Sequence, residues 1–300
     1  MRRTLLTLLL LLAAPLVAAQ TLTTATSSNP PTLDPQKTFN GFSFGVTTHV
    51  YETLFRVTTE GDIEGLLAES WEFVEPTRLR ATLHEGVSFS DGTPLDAAAV
   101  KASLERLLDP ATAAPGRFVV SAIASVEVVD ERTLDIVTAE PFAPLLAHLA
   151  HPVTAIVPVS HGDALARQPV GSGPYVFESW TQGDSVVLAA NADYWGGVPA
   201  IERVVFRVTP EVSTQIVELR SGGLDVLFNI PADNFRQLES EPGLETNAFL
   251  GWGSVHVGFN TAHPKLQDVR VRQAIAHAID KQLIVDEFLG GLAEVGVAPV

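Results

Sequence analysis

Cysteine is absent from the sequence. Without it the chain cannot form a disulfide, bind a metal through a thiolate, use a cysteine nucleophile or carry a lipid on an N-terminal cysteine. Positive charge is also scarce, because 19 Lys and Arg residues stand against 35 Asp and Glu, which leaves a formal net charge of −16. A phosphate backbone is bound by clustered Lys and Arg, and no basic run is present. We therefore expect no nucleic-acid partner.

Long hydrophobic runs are missing too, except at the N-terminus. Arg2 and Arg3 precede an apolar run over 5–12, and small residues follow up to Ala19. This order is typical of a secretory signal peptide over residues 1–19, whose cleavage makes Gln20 the first residue. The alternative is an uncleaved membrane anchor, but the run is shorter than the ~20 residues that a span needs. The sequence predicts a periplasmic or otherwise extracytoplasmic protein that is soluble after cleavage.

Hydrophobic residues make up 46% of the chain and charged residues 18%, which supplies material for one large or two smaller domains. Strand and helix patterns alternate, so we expect a mixed α/β architecture. Thr93, Pro94 and Asp96 predict the start of a helix that Thr93 caps and that stops before Asp109. A proline-rich segment over 28–35 is expected to lie extended along a surface or cleft. Further predicted elements are a strand at 79–83, hairpins at 126–137 and 175–188, a β-α-β unit at 204–227, a strand at 255–259, and helices from Asp268 and from Asp280.

Several phrases occur in one order along the chain. They are TLDP at 32–35, VYETL at 50–54, GLLAESWE at 65–72, EGVSFSDGTP at 85–94, VGSGPY at 170–175, NADYWGG at 191–197, and GFNT at 258–261 followed by DVRVRQAI at 268–275. Together they resemble the family 5 extracellular solute-binding proteins, which are the dipeptide, oligopeptide and nickel receptors of ABC importers. The resemblance covers nearly the whole chain after residue 19.

The resemblance implies a clamshell of the class II periplasmic-binding-protein type, in which two α/β lobes close over a ligand. Lobe I is expected from residues 20–55 and 170–255, with an inserted subdomain at 56–169. Residues 256–300 are expected to begin lobe II. Related chains continue further, so the second lobe is expected to be incomplete here.

The resemblance also suggests which residues line the cleft. The aromatic stretch at 38–44 occupies the place where family members contact the ligand, so Phe39 and Phe42 are predicted to give apolar contact, and Thr38 and Asn40 polar contact. The alternative is that Phe42 and Phe44 alternate along a buried core strand.

Three further positions are predicted to reach the ligand. Arg117 and Phe118 fall where a subdomain loop covers the ligand in related proteins, and Arg117 could meet a carboxylate, although an exposed solvated arginine is an equal alternative. Trp252 lies between Gly251 and Gly253, whose small size permits a peptide backbone to approach. The alternative for Trp252 is a side chain packed at the hinge.

His148 and His151 are spaced so that two imidazoles share one face of a helix ended by Pro152. No acidic residue or third histidine is near in sequence, so we predict ordinary, partly buried histidines and no metal site. His151 is kept as a candidate ligand contact, because it could still face the cleft. No cofactor is expected.

The predicted function is a solute-binding receptor that delivers a di- or oligopeptide to an ABC importer permease, as a monomer and without enzymatic activity. Peptide is preferred because it is the commonest ligand in the resembling family, and glutathione or a nickel chelate remain open. One alternative is an exported hydrolase, although a Gly-x-Ser-x-Gly turn, a His-Glu-x-x-His helix and a phosphate-binding glycine loop are all absent. Another alternative is a chaperone-like module that binds extended chains.

Overall fold

The computed structural model describes residues 20–249 and 255–296, so the predicted signal peptide lies outside the described residues. The chain divides into two compact units, one ending at Leu227 and the other beginning at Phe228. Within the described ranges, no helix is both long and apolar enough to cross a membrane.

The first unit contains a four-stranded mixed sheet. Its strands are β1 (Thr21–Thr26), β8 (Tyr175–Thr181), β9 (Ser185–Ala190) and β10 (Arg203–Val208), in the order β1-β10-β9-β8. β1 runs parallel to β10, and the other neighbours are antiparallel. The predicted hairpin at 175–188 is confirmed as β8 and β9. Alternate residues along these strands, such as Val186 and Leu188, are buried in a core that also contains Leu33 and Tyr51.

A second four-stranded sheet in this unit is wholly antiparallel. It contains β4 (Ala68–Glu75), β5 (Arg78–Leu83), β6 (Ile123–Val128) and β7 (Thr133–Thr138), in the order β4-β5-β7-β6. The predicted strand at 79–83 and the hairpin at 126–137 are confirmed. The short strands β2 (Phe55–Val57) and β3 (Ile63–Gly65) form a separate antiparallel pair.

Helix α2 (Ala97–Leu108) contributes to the larger hydrophobic core. Its buried Val100, Leu104 and Leu107 recur at helical spacing and belong to the same cluster as the inward-facing residues of β5 and β7. The predicted end before Asp109 is confirmed. The predicted cap is wrong: the helix begins at Ala97, so Asp96 caps it by accepting from the Ala99 N–H, while Thr93 lies upstream and donates its N–H and hydroxyl to Asp91.

The predicted β-α-β unit is only partly formed. β10 leads into α4 (Val212–Arg220), but the expected strand at 224–227 reduces to an isolated parallel bridge between Val226 and Thr24. The strand prediction was wrong: Asp225 and Val226 both donate their N–H groups to the Thr23 carbonyl, and the pairing with β1 is confined to the one bridge, so no ladder of hydrogen bonds extends along residues 224–227.

The second half of the proline-rich segment over 28–35 is buried in the interior. The expectation that it lies along a surface is wrong for that half. Leu33, Asp34 and Gln36 are fully buried. Arg106 of α2 donates from Nη2 to Asp34 Oδ2 at 2.5 Å and from Nη1 to Gln36 Oε1 at 2.7 Å. Gln36 Nε2 in turn donates to the backbone oxygen of Ala155 at 3.3 Å. A buried carboxylate needs such partners, so the segment is held where the guanidinium can reach it.

The regular structure in the described part of the second unit is helical. It contains α5 (Ala232–Leu238), α6 (Val269–Ala278) and α7 (Lys281–Leu283), and α7 continues into a π-helical turn at Ile284–Phe288. The helices predicted from Asp268 and from Asp280 are confirmed as α6 and α7, and each aspartate caps its helix by accepting a backbone N–H. The predicted strand at 255–259 is wrong, because residues 255–259 are exposed or half-buried and pair with no strand in the described part of the chain.

Candidate ligand-binding site

Four ring side chains from separate segments of the first unit meet in one place. Phe39 stacks on His151 with centroids 5.0 Å apart and planes 4° apart, and its centroid lies 5.2 Å from that of Phe118. Phe44 meets Phe39 and His151 edge to face at 6.0 and 5.6 Å. We call these four residues the aromatic patch. Phe39, Phe118 and His151 are among the predicted ligand contacts, and the fold brings these three together.

Asn40 sets the position of the two patch phenylalanines on either side of it. Its side-chain oxygen accepts from the N–H groups of Phe42 at 2.9 Å and Ser43 at 3.3 Å, and so caps α1 (Gly41–Thr47). The alternative of a core strand through Phe42 and Phe44 is wrong, because this cap starts a helix in the middle of the stretch. Phe39 therefore lies before the helix and Phe44 within it.

Gly116 allows the loop that carries Phe118 to approach the patch. A Cβ atom on Gly116 would lie 2.5 Å from Cγ2 of Val153 and 3.0 Å from Cδ2 of Phe39. Real side chains do not pack that closely. Only a residue without a side chain therefore lets the backbone at position 116 pack against Val153 and Phe39. The 3-10 turn Arg117–Val120 begins directly after it and presents Phe118.

His151 is fixed by its backbone neighbours rather than by a helix. α3 (Leu145–Leu149) ends before it, so the prediction of two imidazoles on one helical face is wrong. His151 Nδ1 instead accepts the N–H of Val153 at 3.1 Å and caps the following 3-10 turn. Burial, and secondarily the neighbouring His148, lower the pKa of His151 below its usual range. Among the residues that the structure describes, no three His, Cys, Asp or Glu side chains are grouped as a metal site requires.

Much of the patch remains open to solvent. Phe118 is 62% exposed and Phe39 47%, and Phe42 on α1 is 38% exposed. Exposed aromatic rings that contact one another offer a broad apolar surface at little cost in side-chain entropy, which suits binding of a solute with an apolar part.

The remaining predicted residues take other positions. The Thr38 side chain is buried, Asn40 uses its oxygen as the helix cap, and Arg117 is exposed with its Nε donating to the Leu108 carbonyl at 2.7 Å. Trp252 lies outside the described residues.

A buried carboxylate cluster close by was missed from the sequence. Glu52 accepts the Tyr194 hydroxyl at 2.7 Å on Oε1, and the Ser172 hydroxyl at 2.8 Å and Trp195 Nε1 at 2.9 Å on Oε2. Burial raises the pKa of Glu52, and these three hydrogen bonds oppose the rise. The signal was present, because Glu52, Ser172, Tyr194 and Trp195 each fall in a phrase that carries the family resemblance.

A cavity of about 300 Å³ lies beside this cluster. Its lining residues include Glu52 and Tyr194, and also Ala150 and Pro152, which flank His151. The carboxylate cluster and the aromatic patch therefore border the same region of the first unit. Both carboxylate oxygens of Glu52 accept hydrogen bonds from protein donors, so we assign it to holding the fold together.

The two sheets and their helices are those of a periplasmic-binding-protein fold. A model of the bacterial extracellular solute-binding proteins, family 5, middle region, matches residues 62–300, and the chain belongs to this family. The family is one of binding proteins and not of enzymes.

Individual relatives agree with this assignment. The chain is 32% identical over 291 residues to the glutathione-binding protein GsiB of Escherichia coli O1:K1, which covers 94% of this chain and 57% of that protein. It superposes with a TM-score of 0.81 and 28% identity on the Helicobacter pylori periplasmic binding protein DppA in complex with the peptide STSA, over 93% of this chain and 60% of that one. A nickel ABC transporter structure from Bacillus halodurans matches at 32% identity and TM-score 0.74, over 93% and 58%. The chain thus spans somewhat more than half the length of these relatives.

Proposed function

We propose that this chain is an exported receptor that delivers a di- or oligopeptide to an ABC importer by cleft closure. The aromatic patch forms one wall of the peptide site. The observation that carries the proposal is the convergence of Phe39, Phe118 and His151, which are far apart in sequence, into a surface that stays open to solvent.

Two of the relatives support a peptide as the proposed solute. GsiB is named for glutathione, which is itself a short peptide, and the DppA structure contains a tetrapeptide. An aromatic surface accepts varied side chains because its contact is apolar and depends little on direction. We propose the same arrangement of domains as the sequence predicts, with lobe I at 20–55 and 170–255, an inserted subdomain at 56–169, and the second lobe from 256. The permease is the proposed partner, and a monomer is the proposed state.

Ligand-observed saturation-transfer NMR on the purified chain tests the proposal, since the method also detects weak binding to a single wall of a site. Glutathione, a dipeptide, a tetrapeptide and Ni²⁺ are added separately, the nickel being followed by protein relaxation. We expect transfer to the peptides. We also expect it to fall in Phe39→Ala and Phe118→Ala, because each removes aromatic contact area.

Phe73→Ala is the matched control, because Phe73 is 47% exposed like Phe39 but lies on β4, away from the patch. Equal loss in the control, or no transfer to any peptide, would contradict the proposed site. New resonances from peptide cleavage would favour the hydrolase, and binding of an unfolded chain without binding of short peptides would favour the chaperone-like module.

Export is tested separately. Expression from the complete gene in a bacterial host with an outer membrane should yield protein in the periplasmic fraction, with Gln20 at its N-terminus. An intact Met1 or Arg2 end on membrane-bound protein would favour the uncleaved anchor.

A further inference from the structure

The tautomer of His151 follows from its hydrogen bond. The Val153 backbone N–H can only donate, so His151 Nδ1, at 3.1 Å from that nitrogen, must present a lone pair. A neutral imidazole that has a lone pair on Nδ1 carries its proton on Nε2. His151 is thus held as the Nε2–H tautomer.

His148 is held in the opposite tautomer. Its Nδ1 lies 2.6 Å from the carbonyl oxygen of Val119, which can only accept. Nδ1 of His148 must therefore carry the proton, and in the neutral ring Nε2 has the lone pair. Two histidines three residues apart thus differ in which nitrogen donates, because one faces a backbone N–H and the other a backbone carbonyl.

The Nε2–H of His151 is the polar group that the ring contributes to the patch. No described protein atom accepts a hydrogen bond from it, and the side chain is only half-buried. The ring is also clamped by stacking on Phe39 and by the edge contact with Phe44, so it cannot easily turn over. A flip would in addition leave the Val153 N–H without its acceptor, and Val153 is fully buried.

A metal ion does not fit this arrangement. Binding through Nε2 would move the proton to Nδ1, where it would point at the Val153 N–H, and binding through Nδ1 would displace that N–H. Either mode costs a backbone hydrogen bond in the interior.

We propose that His151 is a fixed hydrogen-bond donor in the aromatic patch, so the solute that contacts it presents an acceptor oxygen there, from a peptide carbonyl or a carboxylate, and not a metal ion. This inference rests on the proposed function, because it assigns chemistry to the same site.

Histidine ¹⁵N NMR of the free chain tests the tautomer without any ligand. At about pH 8, above the usual pKa of histidine, we expect His151 to show a lone-pair shift at Nδ1 and a protonated shift at Nε2, and His148 to show the reverse. Assignments come from His151→Asn and His148→Asn. A protonated Nδ1 on His151 would overturn the inference while leaving the proposed function standing, whereas absence of binding by all peptides would overturn the function and leave the tautomer unaffected.

Two substitutions then separate the contribution of the His151 hydrogen-bond donor from that of its ring stacking. His151→Phe keeps an aromatic ring and removes the donor. His151→Asn keeps an acceptor that can cap Val153, removes the ring, and has an amide too short to place a donor where Nε2 lies. Both variants should lower the affinity for a tetrapeptide about three- to tenfold if the acceptor is a neutral carbonyl, and by more if it is a carboxylate. Comparison with the C-terminally amidated tetrapeptide identifies which oxygen is bound, since amidation removes the negative charge and so weakens only a contact made by the C-terminal carboxylate. Full affinity in His151→Phe would show that only stacking matters. Paramagnetic broadening of the His151 ring by Ni²⁺ that His148→Asn leaves unchanged would show metal binding there and contradict the inference.

Discussion

The Tyr194 hydroxyl donates to Glu52 Oε1 at 2.7 Å, although 142 residues separate the two along the chain. Glu52 follows α1, and Tyr194 follows the second strand of the β8–β9 hairpin. Ser172 and Trp195 complete the set of donors on the other carboxylate oxygen. The Glu52 side chain therefore links three segments of the first unit through hydrogen bonds.

Glu52→Gln should destabilise the first unit by about 1–3 kcal/mol, because an amide replaces one acceptor oxygen by a donor that then faces another donor. Urea unfolding followed by circular dichroism measures the change. Glu60→Gln is the control, since Glu60 lies exposed on the β2–β3 turn, and it should leave the midpoint unchanged. A Glu52→Gln variant as stable as the parent would show that the carboxylate is dispensable.

Arg106→Lys should lower the free energy of unfolding by about 1–3 kcal/mol, because lysine keeps the charge but cannot bind Asp34 and Gln36 together as the guanidinium does. The matched control is Arg203→Lys, which breaks a two-point pair with Glu178 on an exposed part of β10 and β8. That change should cost less than about 1 kcal/mol. Equal losses in the two variants would refute the argument from burial.

Asp135 on β7 is expected to make the fold sensitive to acid. Hydrogen bonds from Arg80, and also from Arg78, lower its pKa below the usual 3.8, against an opposing effect of burial. Because the folded pKa is depressed, the stabilisation is complete above about pH 3.8 and is lost as the pH falls below it. Asp135→Asn should therefore lower the urea midpoint at neutral pH, and the gap to the parent should close on acidification. A gap that stays constant between neutral and acid pH would contradict this assignment.

Gly116→Ala should destabilise the chain by about 1–3 kcal/mol and weaken peptide binding, since the new methyl would overlap Val153 and push Phe39 out of the stack. The backbone of Gly116 is one that alanine adopts, so the effect reports packing alone. Gly45→Ala is the control, and its expected effect on stability has the opposite sign. Gly45 is exposed in α1 with nothing within 4 Å of its Cβ position, and alanine there should stabilise by about 0.5–1 kcal/mol.

Local patterns predict the elements that depend on near neighbours in the chain. The hairpins at 126–137 and 175–188 and the stripe of α2 follow from alternation, turns and helical spacing, and the structure confirms them. The cap of α2 was misplaced because Thr93 and Asp96 are both residues that cap helices well, and the structure begins the helix at Ala97, directly after Asp96. The strands expected at 224–227 and 255–259 do not form, because a strand needs a neighbouring strand to pair with, and a local sequence pattern does not show whether one is present.

The sequence by itself determined the α/β class, the family and the aromatic character of the candidate site, since these depend on residue types and their order. Tertiary structure decided which of those residues meet. It placed Phe39 against His151 and Phe118, used Asn40 as a cap, and buried Thr38, Asp34 and Glu52. It also chose the nitrogen on which His151 carries its proton, because that choice depends on one backbone N–H brought within 3.1 Å by the turn after α3. The physical reason is that hydrogen bonds and ring contacts are short-ranged in space, whatever the distance along the chain.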